Sequence, residues 1–432
     1  MTASTVATAT LDSVSYTQSP HRRKSSIAEA SGGGQSDRAF PEDVMFSGLK
    51  GKALKLNSWP SKAEVMRCIP RRCFVKETSR SLGHAAVCVA MTLACGVAAY
   101  ALLPVQLAAT PLWILYGALT GTVATGCWVI AHECGHNAFS DNKVIQDLVG
   151  YVLHTALLVP YYSWQRSHAV HHSRTNHLTE GETHVPHVRS GPKALGEQSP
   201  HAVLEGAWNE GLLSIRTLFG ESLYGAIRLV AHLFFGWPAY LLTGATGGPV
   251  RGVTNHFLPF LGNKGEYKLF PESWTARVYL SDLGIIVMLG ALIFAADRVG
   301  VATVACVYGL PLAFTNVWLV LYTWLQHSDT DIPHFDGDDW DFMKGAFCTV
   351  DRPYGPVLDF LHHRIGSTHV AHHICSAIPH YHALEATNAI KASFPDHYLF
   401  DPTPIHKAMW RVGTKCVSVR PYGNEGMWVF RQ

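Results

Sequence analysis

Four apolar runs of membrane-spanning length, grouped in two pairs, restrict this chain more than any other feature. They are residues 83–103 (GHAAVCVAMTLACGVAAYALL), 107–131 (LAATPLWILYGALTGTVATGCWVIA), 278–296 (VYLSDLGIIVMLGALIFAA) and 300–325 (GVATVACVYGLPLAFTNVWLVLYTWL). Each reaches the roughly 20 residues that a helix needs to cross a hydrocarbon core. Within a pair the link is very short, Pro104–Gln106 in one and Asp297–Val299 in the other, so the partners must run antiparallel. Lipid offers no hydrogen bonds to an open backbone, which leaves helices as the form such runs take. The expected fold class is an all-α membrane protein with four transmembrane helices in two hairpins.

Two further apolar stretches are interrupted. Residues 145–160 carry His154, and residues 223–243 carry Arg228, His232 and Pro238. Both are read as interfacial helices packed on the spans, with a true span as the alternative for 223–243. The basic segment RRCFVKETSR at 71–80 precedes the first run, and the hairpin turns carry almost no positive charge. The positive-inside rule then puts residue 80 in the cytosol. Two spans later the chain returns to that side at His132, and two more bring it back at His327.

The ends read as tails. Residues 1–54 are Ser/Thr/Ala-rich, with HRRKSS at 21–26 and SGGGQS at 31–36. No apolar core follows a charged start, which excludes a secretory signal. A disordered cytosolic tail is expected there, with a transit peptide as the competing reading. Residues 396–432 are expected to form a cytosolic C-terminal tail. The formal net charge is +2, and no basic stripe with interleaved aromatics calls for a nucleic-acid partner. The ten cysteines form no CxxC pair, which argues against a disulfide framework or a zinc ribbon.

Histidine is the anomaly. Of 25 histidines, 18 fall in the windows 132–187 and 327–382. Crowded imidazoles serve metal ions better than they serve packing. Three clusters stand out: His132-Glu-Cys-Gly-His136, His168-Ala-Val-His171-His172 and His369-Val-Ala-His372-His373. On a helix, positions three or four apart share a face, so each cluster aims two rings at one point. In HxxHH the extra neighbour turns roughly 100° away and can reach a second ion. Eight imidazoles exceed the four to six ligands of one transition metal, and two ions are the economical count. The span parity puts all three clusters on the cytosolic face, in a helical cap.

Other residues are open to two readings. His327, at the end of the fourth run, is either a ninth ligand or a polar helix cap. Glu133 is either an orienting partner for an imidazole or a plain helix-terminal carboxylate. His380 and His382 are either outer donors or packing residues. His177, His184 and His187 are taken as non-ligands. The letters HECGH fit a zinc-protease motif, but that reading leaves the other two clusters unexplained.

Several segments carry a resemblance: AHECGHNAFS at 131–140, LVPYYSWQRSHAVHHSRTNHLTEGETHVP at 158–186, TWLQHSDTDIPHFD at 323–336, AFCTVDRPYG at 346–355 and THVAHHICSAIPHYHALEAT at 368–387. Together with WPSKAEVMRCIPRRCFVKETSRS at 59–81, they resemble the membrane fatty acyl desaturases, and within them the microsomal delta-12 (omega-6, oleate) group. The match extends over roughly residues 55–395. The resemblance implies two iron ions (Fe2+/Fe3+) at the clusters and O2 as oxidant. It implies electrons from cytochrome b5 and its NADH-dependent reductase. The implied substrate is a phospholipid-esterified oleoyl chain in the endoplasmic reticulum membrane, converted to linoleoyl. Omega-3 desaturases, acyl hydroxylases, conjugases and acetylenases share these clusters. A histidine-rich metal transporter is the rival from another class, but its site should lie at bilayer depth. The terminal MWVFRQ resembles retrieval signals of this family, with an interfacial aromatic anchor as the alternative. Asn137 departs from the bulkier polar residue or His often found there, which bears on regiospecificity rather than on the chemistry.

The absence of GxGxxG and of a heme-binding HPGG segment means that electrons must arrive from another protein. An unactivated methylene has no acidity that a side-chain base could use, so the hard chemistry belongs to a metal–oxygen unit.

Overall fold

The computed structural model describes residues 43–46, 52–55, 58–188, 200–262, 265–330, 332–422 and 426–430. Inside the stretch expected to be a tail, β1 (Asp43–Phe46) and β2 (Lys52–Lys55) pair as an antiparallel hairpin. The rest of residues 1–57 lies outside the described residues. A capping box starts α1 (Lys62–Cys68): Ser61 N donates to the Glu64 carboxylate at 2.7 Å, and Glu64 N donates back to Ser61 Oγ at 3.3 Å. Such reciprocal pairing satisfies amide donors that a helix start leaves free.

The expected hairpins are present. In the first, α2 (Thr78–Leu102) is followed by α3 (Thr110–Gly135). After α4 (Lys143–Ala156), α5 (Tyr161–Ser173) and α6 (Pro200–Thr243) comes the second, α7 (Thr275–Val299) and α8 (Val301–His327), joined at Gly300, whose φ of 90° suits the turn. A π-turn at Ala305–Gly309 interrupts α8 just before Pro311, where the missing proline amide breaks the regular ladder. Apolar residues such as Leu93 and Val97 on α2, and Ile293 and Phe294 on α7, are exposed. A bilayer is the medium that would cover them.

Among the described residues five helices, not four, are long and apolar enough to cross a membrane. The fifth lies in α6, which breaks at Gly220 (φ 85°) and then runs through the segment read as interfacial. The charge that argued against a span there is consumed inside the protein. Arg228 donates to the carbonyls of Gly413 and Cys416, both at 2.6 Å, at the end of α13 (Ile405–Lys415). A guanidinium on helix-terminal carbonyls is well placed. The other interrupted stretch becomes α4 and the link that leads into α5, the two helices being bent by 103°.

Helix α3 is the centre, packed on α2, α4 and α8. Its approach to α8 rests on small residues: a Cβ at Gly117 would sit 2.7 Å from Leu310 Cβ, and one at Gly121 would sit 2.6 Å from both Phe314 Cβ and Pro311 O. This is the small-xxx-small pattern that lets membrane helices touch closely.

Beyond α8 the chain forms short helices: α9 (Phe342–Phe347), α10 (Pro356–Leu361), α11 (His369–Ile374), α12 (His380–Ser393) and then α13. A small sheet joins them. Its strands are β3 (His187–Val188), β4 (His334–Phe335), β5 (Ser418–Pro421) and β6 (Met427–Val429), in the order β3-β5-β6-β4. The β3–β5 pair is parallel and the others antiparallel. The segment expected as a C-terminal tail is thus folded onto the body. Trp428 and Phe430, from the aromatic end read as a signal or anchor, are buried in the main core with Trp324 and Leu325. The last two residues lie outside the described ones. Two buried carboxylates and two guanidiniums fasten this region: Arg352 and Arg411 both bond Asp329 and Asp401, Arg352 reaching Asp329 at 2.8 Å. Removing one member of such a set leaves an unpaired buried charge, which costs about 3–5 kcal/mol.

Candidate metal centre

Four elements end at one place. Cluster one closes α3, with His132 in the last turn and His136 just beyond it. Asn137 stops the helix with φ 59°, and its Oδ1 accepts from Gln146 at 2.9 Å; asparagine is among the few residues that tolerate this left-handed conformation. Cluster two fills the C-terminal half of α5, cluster three begins α11, and His327 is the final residue of α8.

The nine imidazoles fall into two adjoining groups. His132, His136, His168, His172 and His372 bring one ring nitrogen each to within 4.8 Å of one another. His171, His327 and His373 do the same, and His369 Nε2 joins them 2.9 Å from His327 Nε2. Within the first group His132 Nε2 lies 2.9 Å from His168 Nε2, and in the second His171 Nε2 lies 3.1 Å from His327 Nε2. The groups touch where the His172 and His373 rings stack at 4.1 Å. Adjacent residues of HxxHH do serve different groups: His171 and His172 part company, as do His372 and His373. No carboxylate takes part in either group among the described residues.

The donor set fits transition metals. Nε2 of His136, His372 and His373 is buried with no hydrogen-bond partner, a costly state unless something binds there. Neutral imidazoles suit iron, copper, zinc or nickel. Burial keeps the rings neutral: His372 is pushed down to about 3, and His136, His369 and His373 lie well below the ordinary range, helped by neighbouring imidazoles. A ligand must shed its proton before it binds a metal, so these rings are ready near neutral pH.

Two threonines orient the rings, and sequence reasoning missed both. Thr175 Oγ1 donates to His171 O at 2.7 Å, which leaves it to accept from His373 Nδ1–H at 3.0 Å. That arrangement fixes the tautomer whose Nε2 lone pair faces inward. Thr183 Oγ1 lies 2.7 Å from His171 Nδ1. The spacing of Thr175, four after His171, was the available signal. Glu133, His380 and His382 belong to neither group. Glu133 Oε2 accepts from His380 N at 2.8 Å and pairs with His380 Nδ1 at 3.3 Å, while His382 lies near Cys73 and Glu385. His177, taken as a non-ligand, sits by Asp336.

A cavity of about 690 Å³ opens beside the second cluster. His168 and His171 line it, together with Trp164, Phe235, Val320 and Trp324. Its size is that of a site for a drug-sized or longer apolar ligand. His184 and His232 also face it, both without any motif to mark them.

A family model described as fatty acid desaturase matches residues 108–403. A Delta(12) fatty acid desaturase of Mortierella isabellina is 38% identical over 366 residues, covering 84% of this chain and 88% of the relative. A Delta(12)-acyl-lipid-desaturase of Punica granatum is 39% identical over 363 residues, 83% and 86% of the two chains. A Delta(12)-fatty-acid desaturase of Arabidopsis thaliana is 38% identical over 364 residues, 84% and 88%. The family match takes in all three histidine clusters and His327.

Proposed function

This chain belongs to the fatty acid desaturase family, and from that premise we propose that it inserts a second cis double bond into oleoyl chains of membrane lipids, giving linoleoyl chains. The observation that carries the reading is the meeting of an apolar cavity with two groups of buried, neutral imidazoles. Relatives named as delta-12 desaturases support the position of the new bond.

The reaction removes two vicinal hydrogens from the acyl chain and reduces O2 to two waters, so it consumes two electrons and two protons from elsewhere. Two iron ions held by His132, His136, His168, His172 and His372 on one side, and by His171, His327, His369 and His373 on the other, would supply the oxidising chemistry for C–H bonds. The protein's own residues do the rest. Trp164, Val320 and Trp324 wall the cavity, favour an alkyl chain over water and hold it against the imidazoles. Trp164 stacks on His168 at 4.5 Å, which keeps the ring in place. Thr175 and Thr183 hold the tautomers of His373 and His171. Electrons come from a separate protein, cytochrome b5 with its NADH-dependent reductase. The enzyme sits in the endoplasmic reticulum membrane with the clusters toward the cytosol and acts on phospholipid-esterified chains.

Expression in yeast lacking polyunsaturated fatty acids, followed by gas chromatography of total lipids, tests the proposal. Linoleate should accumulate with no added substrate. A hydroxylated acid, or a triene formed only when linoleate is fed, would overturn the delta-12 assignment.

A further inference from the structure

A third set of imidazoles lies apart from the nine. His84 on α2, His363 after α10 and His380 at the start of α12 bring one ring nitrogen each to within 4.8 Å of one another. The His380 ring centroid is 4.6 Å from that of His84 and 4.4 Å from that of His363. His363 and His380 are 9% and 8% exposed, and His84 is half-buried. His380 Nδ1 is engaged by Glu133, while its Nε2 is buried with no partner. That nitrogen needs a hydrogen bond or a metal bond to offset its loss of water.

We propose that His84, His363 and His380 form a separate site for one divalent transition-metal ion of the zinc class. Zinc takes three histidines with an open fourth position, at about 2.0–2.1 Å from each nitrogen. Two ligands at the tetrahedral angle then stand about 3.4 Å apart, so the rings need close by little more than an ångström. The Glu133–His380 pair has the form of the carboxylate–histidine–metal arrangement, in which the outer carboxylate orients the ring and makes it a better ligand. A cavity of about 10 Å³, bordered by Glu133, His363, Thr368 and His380, adjoins the group. It is close to the smallest space that holds one water, the usual occupant of the open position. Cys88 Sγ lies 3.2 Å from His363 Nε2.

The site explains how Glu133 can lie inside the first cluster and serve neither of its histidines. Its carboxylate is engaged by His380 of the third set. The ion would cross-link α2 to the two segments that flank α11, and so brace the third cluster from behind.

The test is metal binding, not activity. Full-length protein in detergent, stripped with a chelator, is titrated with Zn2+ against a chromophoric competitor. Wild type should bind three equivalents and His84→Ala two, with cobalt substitution showing a visible band that the variant loses. Because His84 is half-buried near the start of its helix, the variant should keep its circular dichroism. Should it unfold, His84→Gln keeps the bulk and is read in the same way. Equal stoichiometry in wild type and a folded variant, with unchanged cobalt spectra, overturns the site and leaves a hydrated histidine cluster in its place.

Discussion

At the residue scale, tautomer control is where the centre is most exposed to a small change. His373 donates through Nδ1 to Thr175, whose own proton is committed to His171 O. Thr175→Val keeps the shape and removes the acceptor, so Nε2 loses its bias toward the metal. Metal affinity should fall about 10–100-fold, the range seen for outer partners of metal ligands, while Thr175→Ser restores it. Metal titration of the purified variants reads this directly, and unchanged affinity would show the hydroxyl to be ornamental. The eight cluster imidazoles were legible from spacing, because HxxxH and HxxHH declare a shared helical face, whereas His327 had no such motif and stayed open to two readings. The threonines were not legible. Thr175 is significant only once α11 is seen to pack beside α5, a contact across 198 residues of sequence. Glu133 was singled out for its place in the motif, yet the helix turns its side chain toward His380, so proximity in sequence misdirected its assignment.

At the element scale, the two hairpins follow from run length and short links, and the sequence displays both openly. The fifth span-length helix stood in the sequence only as the alternative to an interfacial helix, because Arg228 and His232 look hostile to lipid. In the fold, Arg228 is bound to the end of α13 and His232 packs against Trp324 at 4.2 Å. Hydropathy counts a charge but not its partner. The C-terminal segment was hidden for a related reason: its short strands pair with residues far upstream, His187 with Ser418 and His334 with Trp428, and no local pattern encodes that. The α3–α8 contact carries its own test. Gly121→Val puts a side chain against Phe314 and Pro311 backbone, and overpacking of this kind costs about 1–3 kcal/mol or more. The midpoint of thermal unfolding in detergent should drop clearly. Gly290 on α7 has nothing within 4 Å of an added Cβ, so Gly290→Ala should leave the midpoint where it was. Equal tolerance at both positions would contradict the close approach.

At the scale of the whole molecule, a chain this rich in buried imidazole should be acid-labile. His256 and His334, outside the spans and outside the nine, are held down by burial to about 3 and about 4. Their folded values lie below the ordinary 6.5 or so of the unfolded chain. The unfolded state therefore takes up protons first as pH falls. The stability they leave intact above pH ~6.5 is lost as pH drops toward the folded values, at about 1.4 kcal/mol per histidine for each pH unit. Thermal unfolding of detergent-solubilised protein should shift down steadily between pH 7 and pH 5, and a flat profile would count against their burial in the neutral form.

Distant imidazoles meet in two adjoining groups beside an apolar cavity, and the proposed occupants of those groups are two irons. Iron content and iron-edge X-ray absorption, measured on full-length protein in the His84→Ala background, address that directly. Two irons per chain are expected, each in a shell of nitrogen and oxygen with imidazole outer scattering, and about one iron should remain after either His136→Ala or His373→Ala. A sulfur-dominated shell, or an iron content that neither substitution changes, would contradict it.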